Sequence, residues 1–149
     1  MKKIFLIITM LYMTIAAFAQ KLPADKITGQ WLSEDGEDVQ LKFEIFKSDG
    51  KYAGKLLWAS SMFEADGKTP KKDFKNPDAK LRSRSRQGIV NIKGLTYEDG
   101  EYADGKLYNP ENGSTYSLTV RLINANEMEF RGYMGISLLG KTMKFKRVQ

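Results

Sequence analysis

Polar side chains that could form a binding site are concentrated in one stretch of the chain, residues 68–88. Asp73 and Asn76 are followed within a few residues by Arg82 and Arg84, and a proline directly follows the asparagine. The proline keeps the backbone before it out of the helical region. A carboxylate can hold one guanidinium while another binds an anionic ligand group through two parallel hydrogen bonds. The pattern predicts either a ligand-binding loop or a structural brace, in which Asp73 pairs with an arginine to fix a long loop.

The types of residue available limit the chemistry that the chain can perform. Cysteine and histidine are both absent, which removes thiolate and imidazole nucleophiles and every metal site built from nitrogen and sulfur ligands. The enzymatic alternative is a hydrolase in which Asp73 acts as acid or base, but the sequence offers no second carboxylate matched to it. The carboxylates at 34–38 do not have the spacing of a calcium-binding loop, and we interpret them as a solvated turn. We therefore expect no enzyme, no cofactor and no metal.

The positive charge of the chain is local. The formal net charge is +6, and residues 68–86 alone contain eight basic and two acidic residues. A basic segment without interleaved aromatic residues is not typical of nucleic-acid binding, so we expect no nucleic-acid partner. The segment is either a solvated surface or a docking surface for a protein, a polysaccharide or an anionic head group of the cell envelope.

The first nineteen residues have the pattern of a secretory signal peptide. Two lysines precede an apolar run at 4–18, and Ala17-Phe18-Ala19 is a small-x-small cleavage pattern. The run is too short for a transmembrane span, although a retained N-terminal anchor is the alternative. We expect cleavage after residue 19, a single domain over 20–149, and a periplasmic or extracellular location. Without disulfides, the exported domain must rely on its core.

The rest of the sequence predicts strands. Residues 39–45 and 115–122 alternate between apolar and polar side chains, which is typical of strands with one buried face. Turn residues recur roughly every ten residues, a spacing that favours an antiparallel sandwich or barrel. We count about eight strands and interpret Asp49-Gly50, Asp99-Gly100, Asp104-Gly105 and residues 109–113 as turns. The further strands are expected at 52–59, 89–95, 106–108, around 128–130 and at 141–148.

Aromatic residues at inward positions suggest a ligand cavity. Tyr52, Gly54, Leu56 and Trp58 share one face of a predicted strand, and Tyr116 faces inward on another. A barrel of eight strands has an interior that either fills with side chains or holds one small ligand. Tyr52, Trp58 and Tyr116 are therefore candidate ligand-binding residues, and a packed core is the alternative.

The two ends of the domain predict that the sheet closes. Gly29-x-Trp31 lies on the first strand, and Arg147 lies on the last strand on the same face as Met143 and Phe145. A charge on an inward face is costly unless it is paired or stacked. A guanidinium over the indole of Trp31 satisfies this requirement if the first and last strands are neighbours. This arrangement resembles the ends of the calycin superfamily, the lipocalin-like barrels.

A second resemblance covers nearly the whole predicted domain. The chain is similar to the exported bacterial family of unknown function numbered 2147. The matching segments are 29–32, 54–58, 73–77 with 81–84, 105–110 with Gly113 and Tyr116, 131–140 and 147–148. Asn109 and Phe145 depart from the family pattern, which usually has Asp and Trp there, and Asn109 weakens any catalytic role for its position. The family has no established activity, so the resemblance implies a fold and a compartment.

Together these patterns predict an all-β, monomeric, lipocalin-like barrel with one long basic loop. We expect it to bind a small apolar or amphipathic ligand, with the basic loop gating the mouth. Docking of an anionic envelope component through the loop is the alternative.

Overall fold

The structure, a computed structural model, describes residues 21–149. The predicted signal peptide lies outside the described residues. Eight strands pair antiparallel in chain order, and the eighth returns to the first, so the sheet is a closed barrel. The fold class predicted from the sequence is confirmed.

The strands are β1 Gly29–Ser33, β2 Leu41–Ser48, β3 Lys51–Ala59, β4 Val90–Glu98, β5 Glu101–Asn109, β6 Ser114–Asn124, β7 Glu127–Tyr133 and β8 Lys141–Arg147. Three short 3₁₀ turns complete the described elements, at Ala24–Ile27, Ala79–Leu81 and Ser137–Leu139. No helix within residues 21–149 has the length and apolar character needed to cross a membrane.

Two of the predicted Asp-Gly turns form the tight hairpins of the barrel. Asp49 and Gly50 join β2 to β3 with φ of 51° and 74°, and Asp99 and Gly100 join β4 to β5 with φ of 52° and 89°. Two consecutive residues with positive φ match the right-handed twist of the flanking strands. These turns set the register of both strand pairs.

The third Asp-Gly pair does not end a strand, so the prediction of a turn there was wrong. Asp104 has φ of 60°, yet β5 continues through it to Asn109. The register between β5 and β6 shifts between Tyr102 and Gly105, which marks a bulge. A Cβ at Gly105 would lie 2.5 Å from a methyl group of Leu95, so a side chain does not fit at this point of the strand.

A bulge in β3 also overturns the expected orientation of Trp58. Phe43 pairs with Leu56 but Lys42 pairs with Trp58, so one extra residue is inserted in β3. The insertion reverses the alternation, and Ala59 takes the inward position after Leu56. Trp58 is half-buried and lies opposite Lys42, on the outer side of the sheet.

Arg147 and Trp31 meet where the barrel closes. The residues are register partners on β1 and β8, and the guanidinium carbon lies 4.2 Å from the centre of the indole. The guanidinium also donates hydrogen bonds to the carbonyls of Ala125 at 2.9 Å, Thr28 at 2.7 Å and Lys26. Gly29 leaves room for it, since a Cβ there would lie 2.8 Å from Arg147 Nη1.

The 3₁₀ turn at Ala24–Ile27 plugs this closed end. The Tyr102 hydroxyl donates to the carbonyl of Ala24 at 2.5 Å, and Trp31 Nε1 donates to that of Ile27 at 2.8 Å. The Tyr52 hydroxyl donates to the carboxylate of Asp25. Because these partners are all in the plug, the closed end is filled with side chains, and any interior space must lie at the other end.

The long basic segment belongs to the connection between β3 and β4, residues 60–89, which we call the long loop. It lies at the open end, where β1, β3, β5 and β7 finish. Two isolated bridges order it, Phe63 with Pro70 and Lys72 with Ser85. Its Lys75 carbonyl packs closely against Gly113, whose φ is 77°. The long loop is therefore folded onto the β5–β6 turn.

Candidate functional site

A cavity of about 450 Å³ occupies the open half of the barrel. Its wall is mainly apolar and is formed by residues of β2–β8 and of the loops at the open end. The apolar lining residues include Val39, Leu41, Phe43, Leu56, Ala59, Met62, Leu107, Tyr116, Leu118, Phe130, Met143 and Phe145. The interior is therefore not fully packed, which leaves room for a small ligand.

One sector of the wall is polar. Arg86, from the end of the long loop, is buried and donates from Nη1 to Oε1 of Glu111 at 2.8 Å. The Ser61 hydroxyl donates to the same oxygen at 2.9 Å. Arg86 Nε donates to the carbonyl of Lys72 at 3.0 Å. Arg86, Glu111 and Ser61 all line the cavity. The Arg86–Glu111 ion pair therefore lies at the rim of the cavity and is partly shielded from water.

Asn91 is the second polar feature of this sector. Its side chain is 5% exposed and lies in the cavity wall at the start of β4. Asn91 Nδ2 donates to the carbonyl of Tyr108 at 3.0 Å. Its Oδ1 is buried and, within residues 21–149, accepts no hydrogen bond. A buried acceptor without a donor is unfavourable, so this atom is suited to a donor that the protein itself does not supply.

Asp73 is the centre of a brace rather than part of the cavity wall. Its side chain is 0% exposed. Its Oδ1 accepts from the Tyr108 hydroxyl at 2.5 Å. Its Oδ2 accepts hydrogen bonds from Asn76 Nδ2 at 2.8 Å and from Arg84 Nε at 3.0 Å, and it forms an ion pair with Arg84 Nη2 at 2.9 Å. Both carboxylate oxygens are therefore occupied, and the residue joins the long loop to β5.

The brace also changes the acidity of Tyr108. Burial, and then the hydrogen bond to the Asp73 carboxylate, raise the pKa of the Tyr108 phenol to about 12. The Arg84 guanidinium lies 6.0 Å from the centre of the Tyr108 ring, so it pairs with the carboxylate and packs against the phenol. Arg82 extends the cluster by donating from Nε to the carbonyl of Asn76 at 2.8 Å.

The structure thus separates the residues that the sequence grouped as one candidate site. The cluster of Asp73, Asn76, Arg82 and Arg84 is brought together, but outside the cavity wall. Tyr116 lines the cavity, whereas Tyr52 lies at the closed end and Trp58 on the outer side. Only one aromatic candidate is therefore positioned to contact a ligand in the cavity.

Neither the Arg86–Glu111 ion pair nor Asn91 was predicted as part of the site. Arg86 was grouped with the basic segment as a surface charge, Glu111 was interpreted as part of a turn, and Asn91 carried no local signal. Arg86 and Glu111 are 25 residues apart, so only the packing of the long loop on the β5–β6 turn pairs them.

Carboxylates elsewhere do not form a metal site. Within residues 21–149, no group of three or more potential metal-ligating side chains is close enough to hold an ion. In the acidic turn, Glu37 and Asp38 lie 3.5 and 3.6 Å from the ammonium group of Lys141. This turn is therefore linked to β8 by exposed ion pairs.

Comparison with known proteins agrees with this architecture. The family model for an uncharacterised protein conserved in bacteria, DUF2147, matches residues 29–147. The solved structure of protein HP1028 from the human pathogen Helicobacter pylori, described as belonging to the lipocalin family, is 31% identical, with a TM-score of 0.68 over 82% of each chain. No curated protein matches the chain. The chain therefore belongs to the DUF2147 family of uncharacterised bacterial proteins, and its barrel is lipocalin-like.

Proposed function

We propose that the protein binds one small amphipathic ligand inside the barrel. The observation that carries this proposal is the cavity of about 450 Å³ with its apolar wall. Ligand sites in proteins typically have volumes of about 300–1,000 Å³, an apolar lining and a few polar groups. The cavity in the open half of this lipocalin-like barrel has a volume, an apolar lining and a small number of polar groups in this range.

The distribution of polar groups supports one orientation of the ligand. Phe43, Leu118 and Phe130 are buried towards the middle of the barrel and suit a hydrocarbon chain. Arg86 and Asn91 lie nearer the rim. A head group with a hydroxyl or amide hydrogen would satisfy the free Asn91 Oδ1. The ligand class is therefore a single-chain amphiphile with a hydrogen-bond donor in its head group.

The proposed function is binding without catalysis. Asp73, the carboxylate that the sequence offered as an acid or base, is fully enclosed and has donors on both oxygens. A general base must come within hydrogen-bond reach of the proton it removes. The arrangement instead supports a structural role for Asp73 in holding the long loop.

Native mass spectrometry tests this proposal. Purified protein, stripped of bound molecules by organic extraction, would be incubated with a total bacterial lipid extract and returned to detergent-free buffer. We expect one adduct per chain, with the mass of a single-chain amphiphile released on dissociation. Spectra with polypeptide mass alone would overturn the proposal.

A further inference from the structure

The β7–β8 loop, residues 134–140, presents large apolar side chains to solvent. Leu138 is 83% exposed and Leu139 is 79% exposed, and Met134 and Ile136 are also exposed. The loop is held in shape by Arg131, which donates to the carbonyls of Ser137 at 2.8 Å and Leu138 at 3.1 Å. Exposure of several large apolar side chains to water is unfavourable. In an ordered loop it indicates a surface that contacts a membrane or another molecule.

The long loop adds a second apolar tip at the same end of the barrel. Phe74 is 62% exposed and Leu81 is also exposed. Of the eight large apolar residues exposed in the described part of the chain, six lie in these two loops. Phe74 lies between Asp73, which is bonded to Tyr108 of β5, and Lys75, which packs against Gly113 of the β5–β6 turn. Both apolar tips are therefore at the end of the barrel where the cavity opens.

Unpaired positive charge accompanies the apolar tips. The long loop has five exposed basic residues, none of which forms an ion pair with a carboxylate within residues 21–149. They are Lys68, Lys72, Lys75, Lys80 and Arg82. Arg84 and Arg86, by contrast, are used internally by Asp73 and Glu111. The long loop also has three exposed acidic residues, Glu64, Asp66 and Asp78, so these five basic residues leave an exposed excess of two positive charges.

We propose that the open end of the barrel docks onto an anionic lipid bilayer. The two apolar tips would enter the boundary between head groups and acyl chains, while the lysines of the long loop would contact anionic head groups. A bilayer surface is the partner that matches both features, since it is negatively charged outside and apolar just below. Docking by this surface is independent of whether the cavity holds a ligand, and it would place the cavity mouth against the membrane.

Vesicle flotation tests the docking surface. The probes are vesicles of phosphatidylcholine alone and vesicles that also contain phosphatidylglycerol. We expect wild-type protein to float with the anionic vesicles and to be released by added salt, because exposed charge pairs are screened. Failure to float with anionic vesicles, or equal flotation with both kinds, would overturn the proposal.

Matched variants separate insertion from simple charge attraction. Leu138→Ser with Leu139→Ser removes one apolar tip, and Leu32→Ser with Ile123→Ser removes two exposed apolar residues away from both loops. We expect the loop variant to bind anionic vesicles at least roughly tenfold more weakly, and the control to bind like wild type. Lys72→Glu with Lys75→Glu should also weaken binding. Equal binding by the loop variant and its control would show that the apolar tips do not insert and would overturn the proposal.

Discussion

The Tyr108 hydroxyl lies 2.5 Å from Oδ1 of Asp73, and this contact joins the long loop to β5. Tyr108→Phe removes the only donor of that oxygen within residues 21–149 while keeping the ring. Because Asp73 is fully buried, we expect a loss of about 1–3 kcal/mol in the free energy of unfolding. Urea unfolding measures it.

Tyr116→Phe is the matched control, since its hydroxyl accepts only from the exposed Asn112 side chain at 2.7 Å. We expect it to change stability by less than about 0.5 kcal/mol. Equal effects of the two substitutions would contradict the brace.

The stacking of Arg147 on Trp31 gives a second prediction. Arg147→Lys keeps the charge but cannot reach the three carbonyls of Ala125, Thr28 and Lys26 from one planar group. We expect a loss of about 1–3 kcal/mol in the free energy of unfolding. Lys146→Ala, at the exposed neighbouring position, should cost less than about 0.5 kcal/mol. A lysine variant as stable as wild type would show that the guanidinium contacts do not support closure.

Alkaline pH should destabilise the barrel through its buried phenols. Burial and hydrogen bonds to carboxylates raise the pKa of Tyr52 and of Tyr108 to about 12, from the ordinary value of 10.0. Between these two values the unfolded chain loses phenol protons that the folded chain keeps. The free energy of unfolding that the neutral phenols contribute is therefore complete below pH 10 and is lost as the pH rises towards 12.

Phenolate absorbance and urea unfolding at a series of pH values check this expectation. The free energy of unfolding should fall between pH 10 and 12, and less steeply in Tyr108→Phe, which has one such phenol fewer. Ionisation of every tyrosine near pH 10 with the fold intact would contradict it.

Local patterns were enough to predict the sheet but not its irregularities. The alternation in β2 and β6, and the Asp-Gly turns at 49–50 and 99–100, depend on neighbouring residues, so they could be read directly. The bulge before Trp58 depends on how β3 packs against β2. The bulge at Asp104 accompanies the close packing of Gly105 on Leu95 of the neighbouring strand. Neither packing contact is local in sequence.

The candidate site was predictable to a smaller extent. The spacing of Asp73, Asn76 and Arg84 indicated a brace as one of two alternatives, and the structure forms those contacts. The polar rim depends on pairing across the fold, as Arg86 with Glu111 shows. The cavity itself is a property of packing, which no stretch of sequence reports.

Asn91→Leu tests the proposed head-group contact. The substitution removes a buried acceptor without a donor, which is stabilising, and also the hydrogen bond to Tyr108, which is destabilising. The free energy of unfolding should therefore change by less than about 1 kcal/mol. Affinity for a long-chain alcohol should fall about tenfold, whereas affinity for an alkane of equal length should not fall. A parallel loss for both ligands would contradict a polar role for Asn91.

The most direct measurement of the central claim is a titration with the neutral fluorescent probe N-phenyl-1-naphthylamine. Leu107→Trp places an indole in the cavity wall, and Leu32→Trp makes the same change at an exposed position away from the cavity. We predict saturable binding of one probe per chain to wild type and Leu32→Trp, and at least roughly tenfold weaker binding to Leu107→Trp with unchanged circular dichroism. Absence of saturable binding to wild type, or equal affinity in the two tryptophan variants, would contradict a ligand cavity.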